Sequence, residues 1–168
     1  MGQRSVIHLA DANGVSTGEV EIIDTRTLAD AQGEALARLA SLFMVTDGGM
    51  AGSLIDAGLT ITIEGSTKLY QIDDASRANI AGKATQAALS LIAGTNINWP
   101  PNSVWITADN STQALSAADM VLLGVTVANY GTALVINARA LKDEILALTA
   151  VADCDGFDVT QGWPSSSL

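Results

Sequence analysis

The sequence predicts an α+β protein, a small N-terminal sheet-plus-helix unit followed by a long antiparallel helical hairpin. Three observations predict it. Residues 59–72 alternate apolar and polar side chains around a Gly-Ser pair, the pattern of a β-hairpin. Residues 116–149 place apolar side chains three and four apart over about 33 residues, the pattern of one long helix. A shorter helical pattern over 75–93 precedes it and supplies a partner. The expected domains are an α+β head at 1–72, a helical-hairpin domain with a short strand at its base at 73–164, and a flexible tail at 165–168.

Each element has a local cause. Ser5–Leu9 and Glu19–Ile23 read as strands joined through Asp11-Ala12-Asn13-Gly14, whose Asn-Gly pair accepts the positive φ of a turn. Thr27 is a helix N-cap, and Leu28, Ala35, Leu39 and Phe43 recur at helical spacing behind it. Gly33 weakens that helix without breaking it. The stretch from Asp47 to Gly58 is Gly-rich and reads as a mobile loop. In the hairpin that follows, a Gly65-Ser66 loop sets Ile61 opposite Tyr70 and Leu59 opposite Ile72, with those four on one apolar face.

Asp73-Asp74 caps the next helix and puts acid at its positive end. Ile80, Ala84, Ala87 and Leu91 form its stripe, and Gly94 stops it. The proline corner Trp99-Pro100-Pro101 leads into a short strand at Val104–Thr107. Ser116-Ala117-Ala118-Asp119 resembles a capping box with Asp in place of Glu. From there Met120, Leu123, Val127, Tyr130, Leu134, Ala138, Leu141, Ile145 and Leu148 carry the long stripe. Gly124 and Gly131 each cost about 1 kcal/mol against Ala, tolerable where another helix approaches closely. Since the partner helix is shorter, part of this stripe is left over. Either it forms an oligomer seam, or the head packs on it.

Composition narrows the function. Eight Lys and Arg against 18 Asp and Glu give a net charge of −10, unfavourable for contact with nucleic acid or anionic lipid. Apolar residues make up 48% and charged residues only 15%, so much apolar surface needs covering, between subunits among other ways. No apolar run approaches the roughly 18 residues that span a bilayer. The first residues lack a signal peptide's apolar core, so the expectation is a chain that stays in the cytoplasm of the cell that makes it.

A search for chemistry finds little. His8 is the single histidine and sits on a strand face. Cys154 is the single cysteine, which excludes an intrachain disulfide and reads as a buried thiol. Asp153–Asp158 has the acids of a calcium loop, but its glycine is fourth where an EF-hand needs it sixth. Asn110-Ser111-Thr112 reads as a turn. No phosphate loop, dinucleotide fingerprint, zinc pattern or nucleophile elbow occurs in the sequence. The expectation is a non-enzyme with no catalytic, cofactor-binding or metal-binding residues.

Residues Tyr70-Gln71-Ile72-Asp73-Asp74-Ala75-Ser76-Arg77, Trp105-Ile106-Thr107-Ala108-Asp109-Asn110, Leu115–Met120, Ala138–Ile145 and Gly162-Trp163-Pro164 together resemble a domain-of-unknown-function family. That family is encoded in the tail-fibre and baseplate gene regions of tailed bacteriophages, and the resemblance covers about residues 70–164. It implies a virion tail location after synthesis in the host cytoplasm, and no catalytic residues. The expected partners are other copies of the chain, a trimer being favoured, and other tail proteins, with no nucleic acid and no membrane insertion. The residues expected at an oligomer seam or in helix packing are Met120, Leu123, Val127, Tyr130, Leu134, Leu141, Ile145 and Leu148. Trp99, Trp105 and Trp163 are expected to pack at the hairpin base, or else to contact a receptor. A tail-fibre assembly chaperone is the alternative, and a tail-associated cell-wall hydrolase ranks last.

Overall fold

The computed structural model describes residues 4–10, 13–14, 16–92 and 96–168. The protein is α+β, about 51% helix and 17% strand, with short antiparallel strand pairs and a long C-terminal helix. The chain divides into two compact units, residues 1–38 with 141–159 and residues 39–140 with 160–168. The division does not follow the expected boundary near residue 72. The reason is packing: Leu59, Ile61, Ile63, Tyr70 and Ile72 of the hairpin share one core with Met120, Leu123 and Leu134 of the long helix.

In the first unit, β1 (Arg4–Ala10) pairs antiparallel with β2 (Ser16–Asp24), Val6 opposite Ile22 and His8 opposite Val20. Asn13 and Gly14 of the connection are described, Gly14 at φ +76°, whereas Asp11 and Ala12 lie outside the described residues. Helix α1 (Leu28–Leu42) opens on a reciprocal cap. The Asp30 N–H donates to Thr27 Oγ1 (3.2 Å) and the Thr27 N–H donates to Asp30 Oδ2 (3.0 Å). Ala31 and Ala35 are its buried positions in this unit. Phe157 follows a one-and-a-half-turn helix at Val151–Gly156, its N–H on the Cys154 carbonyl.

In the second unit the Gly-rich stretch is ordered rather than a mobile loop. Its strands β3 (Met44–Thr46) and β4 (Gly49–Ala51) form a hairpin, and α2 (Ser53–Asp56) adds one turn. β5 (Leu59–Ile63) and β6 (Ser66–Tyr70) pair with Leu59 opposite Tyr70 and Ile61 opposite Lys68. The register therefore differs by two from the expected one. Glu64 (φ +50°) and Gly65 (φ +75°) make the two-residue turn, a primed turn with both central residues at positive φ. A shift of two preserves which residues share a face, so Leu59, Ile61, Tyr70 and Ile72 remain buried, and Ile63 joins them.

Helix α3 (Asp74–Ser90) is capped by Asp73, whose carboxylate accepts from the Ser76 N–H at 3.0 Å. Ile80 and Ala87 are buried, but Leu91 is 59% exposed because it is the C-cap residue, past the last packed turn. Gly94 lies outside the described residues. β7 (Val104–Ile106) pairs with β8 (Thr112–Ala114), a strand the sequence reading missed. Helix α4 runs unbroken from Ala117 to Ala147, 31 residues, behind a Ser116–Asp119 reciprocal cap. α3 and α4 are antiparallel: Ala84 meets Gly124, while Asp74 accepts from the N–H of Met50, the residue that meets Gly131.

The segment 165–168, expected to be flexible, is docked on β5. The Thr60 N–H donates to the Ser166 carbonyl (2.8 Å), the Leu168 N–H to Thr60 (2.9 Å) and the Thr62 N–H to Leu168 (3.0 Å). Those bonds satisfy an otherwise open strand edge.

Candidate functional site

The stripe expected to form an oligomer seam is the inside of the protein. Met120, Leu123, Val127, Tyr130 and Leu134 are buried in the core that α3, β5 and β6 complete. Leu141 and Ile145 are buried as well, and Leu148 is half-buried just past the helix end. These side chains are covered by their own chain, as packing inside the fold requires. Of the two covers expected for Met120–Leu134, the hairpin β5–β6 of the head supplies part, and α3 supplies the rest.

A second stripe lies on the outer side of α4. Ala118, Leu122, Val125, Asn129, Thr132 and Ile136 follow one another at spacings of four and three, and all are exposed. Leu122 is 50% exposed, Val125 52% and Ile136 65%. No charged residue occurs in α4 between Asp119 and Arg139, in a chain whose net charge is −10. The strict alternation of four and three is the repeat of a coiled-coil face, with one polar residue, Asn129, inside it. Both signals stand in the sequence, but the larger side chains of the inner stripe mask them. The same composition makes α4 long and apolar enough to cross a membrane, at mean hydropathy 1.5. That corrects the expectation that no run reaches such a length; the interspersed Gly, Thr and Asn disguise it.

A groove of about 580 Å³ lies between α3 and β7. Its α3 wall holds the polar residues Ser76, Asn79, Lys83 and Gln86 together with Gly82; Trp105 and its neighbours make the other wall. A Cβ added at Gly82 would meet nothing within 4 Å. Lys83 reaches Gln86 at 3.2 Å. Sequence reading passed over these residues because it followed the apolar side of α3.

The three tryptophans do not share one base. Trp99 donates its indole N–H to the Leu115 carbonyl (2.9 Å), two residues before α4 begins. Trp163 packs on Phe43, ring centroids 6.1 Å apart, and follows Gly162, which abuts Asn137. From Ala117 to Asn137 α4 rises about 30 Å, so these two indoles serve opposite parts of the core. Trp105 packs against the same core from β7 and is half-buried, like the other two.

The remaining polar groups are engaged in structure. Arg26, with 6% of its side chain exposed, bonds Asp24, Asp155 and Glu34. Those hydrogen bonds, Asp24 first, hold its pKa far above the ordinary arginine value. One acid of the calcium-like sequence is thus committed to an ion pair. Cys154 is buried, and its carbonyl accepts from Arg38 at 2.7 Å. His8 lies on β1, and its side chain is outside the described ones. In the β7–β8 turn, Asp109 accepts from the Thr107 hydroxyl (2.6 Å) and from the Ser111 hydroxyl and N–H, which hold its carboxyl well below the usual range. Among the described residues no three His, Cys, Asp or Glu side chains are placed to hold a metal ion. Tyr70 and Tyr130 bury hydroxyls that have no hydrogen-bond partner among the described residues, and burial raises both pKa values.

Fold and surface together define an α+β domain built on an antiparallel helix pair, with an apolar outer helix face and an open groove. Residues 51–160 match the family described as Domain of unknown function (DUF4376), and the chain belongs to that family. No curated protein and no solved structure matches the chain.

Proposed function

We propose that the protein is a structural component of a bacteriophage tail, at the baseplate or the tail-fibre attachment, acting through contacts between copies and not through catalysis. The tail location is supported by the resemblance over residues 70–164, which overlaps the family match. The observation that carries the contact role is the outer stripe of α4. Leu122, Val125 and Ile136 are exposed at coiled-coil spacing on a charge-free helix surface. An acidic chain repels its own copies most where carboxylates face each other, and this strip offers none. Three copies joined along it match the symmetry of a tail fibre.

Two measurements test the proposal. Protein composition of purified particles should contain the chain; its absence would favour the assembly chaperone, a reading that the open groove beside α3 also supports. Light scattering of the isolated chain at tens of micromolar should give a trimer, and Leu122→Glu with Ile136→Glu should give a monomer with an unchanged melting temperature. A wild-type monomer would remove the contact role.

A further inference from the structure

The geometry points to a peptide-binding site in the groove between α3 and β7, taking an extended segment that carries an acidic residue and pairs with the outer edge of β7. This inference stands apart from the tail assignment. It starts from the backbone. The Thr107 N–H bonds the Ser111 carbonyl and the Leu115 N–H bonds the Ser103 carbonyl, so odd-numbered residues of β7 face β8. The N–H and C=O groups of Val104 and Ile106 therefore point the other way. No group among the described residues bonds them. At Ala108 the same edge is taken, its N–H donating to the Leu69 carbonyl at 2.9 Å. Beyond Leu69 the chain turns off through Gln71 into α3, and the groove opens in the gap.

The walls suit a peptide chain. The amides of Gln71 and Asn79 and the indole N–H of Trp105 line the groove without a protein partner among the described residues, and each can bond a peptide group. Between Ser76 and Gln86 the α3 wall is about 15 Å long at 1.5 Å per residue. That length holds about four to five residues of a strand. Lys83 is the one charged residue of the lining, although the chain holds 18 acids and 8 bases. An acidic side chain or a C-terminal carboxylate complements it, and a basic segment does not. Gly82 gives up about 1 kcal/mol of helix propensity against Ala, and no protein atom uses the space it leaves.

The test is a screen of an immobilised random-hexapeptide library with the full chain. The expected result is enrichment of sequences pairing β-branched residues with Asp or Glu. Gly82→Trp, which grows into open space, should lower binding at least tenfold while the melting temperature holds. Lys83→Glu, at an exposed position, should abolish the preference for acids. Amide exchange at Val104 and Ile106 should slow when an enriched peptide is added. Enrichment that survives Gly82→Trp overturns the site, and so does failure to enrich any sequence over that variant. Bound peptide that leaves those two amides unprotected overturns strand pairing. Binding of an oligosaccharide panel in place of peptide, lost in Gly82→Trp, overturns the ligand class.

Discussion

Two glycines seven residues apart on α4 should respond in opposite directions to the same substitution. A Cβ built on Gly124 would lie 2.4 Å from the Cβ of Ala84, whereas ordinary contacts fall at 3.4–4 Å. Gly124→Ala therefore forces α3 and α4 apart by about an ångström, and Ala84 has no flexible end that can yield. Helix propensity returns about 1 kcal/mol. Overpacking of this kind costs about 1–3 kcal/mol, and the separation also loosens Ile80 and Ala87 against Leu123 and Val127. The net expectation is a loss of about 1–2 kcal/mol. A Cβ on Gly131 would instead meet the Met50 methyl at 3.8 Å and sulfur at 3.9 Å, ordinary contacts to a flexible side chain. Gly131→Ala should gain about 1 kcal/mol. Urea unfolding measures both, and in a thermal scan each kcal/mol moves the midpoint by about 2–4 °C at this chain length. If Gly124→Ala proved as stable as Gly131→Ala, the close crossing of the two helices at Ala84 would be refuted.

Other expectations can be checked on the same preparation. Tyr70→Phe and Tyr130→Phe each remove a buried hydroxyl that bonds nothing, so both should raise stability by about 1 kcal/mol; a loss in both would mean the hydroxyls have partners. Leu134→Ala, in the core, should cost about 2–5 kcal/mol in urea. Ser116→Ala removes the hydroxyl that caps α4 and should cost about 1 kcal/mol. Asp30, Asp73 and Asp109 all have lowered pKa values, from the Thr27 N–H, the Ser76 N–H and the Thr107 hydroxyl respectively. Their contribution is complete above the unfolded carboxylate value near pH 4 and is lost as the pH falls below it. The melting temperature should therefore begin to drop at about pH 4 and keep falling as the pH is lowered further, and Asp109→Asn should flatten part of that drop.

Elements whose cause is local could be read from the sequence. Thr27–Asp30 and Ser116–Asp119 announce helix starts through the bonds they go on to make, and the long apolar periodicity of α4 survives two glycines. The β5–β6 register missed by two because a Gly-first loop is the expected primed turn, while here Glu64 accepts a positive φ beside Gly65. Residues 44–51 escaped because two adjacent glycines and strands of three residues carry no alternation. What covers a helix face depends on the whole chain. α4 has two interleaved apolar stripes, and periodicity alone does not say which is turned inward. The groove was illegible for the same reason, since it takes α3, Gln71 and β7 together to make one.

Two strand edges of the second unit, those of β5 and β7, are treated unequally. Along β5, Thr60 and Thr62 spend their amides on Ser166 and Leu168, so a passing strand finds that side closed. Along β7 the backbone is left unspoken for. An extended chain that joins this protein, whether a physiological partner or a misfolded copy, therefore finds room along β7 and none along β5. Crowded expression should reveal the same bias, with clumping that grows when the last three residues are trimmed and a second margin is laid bare.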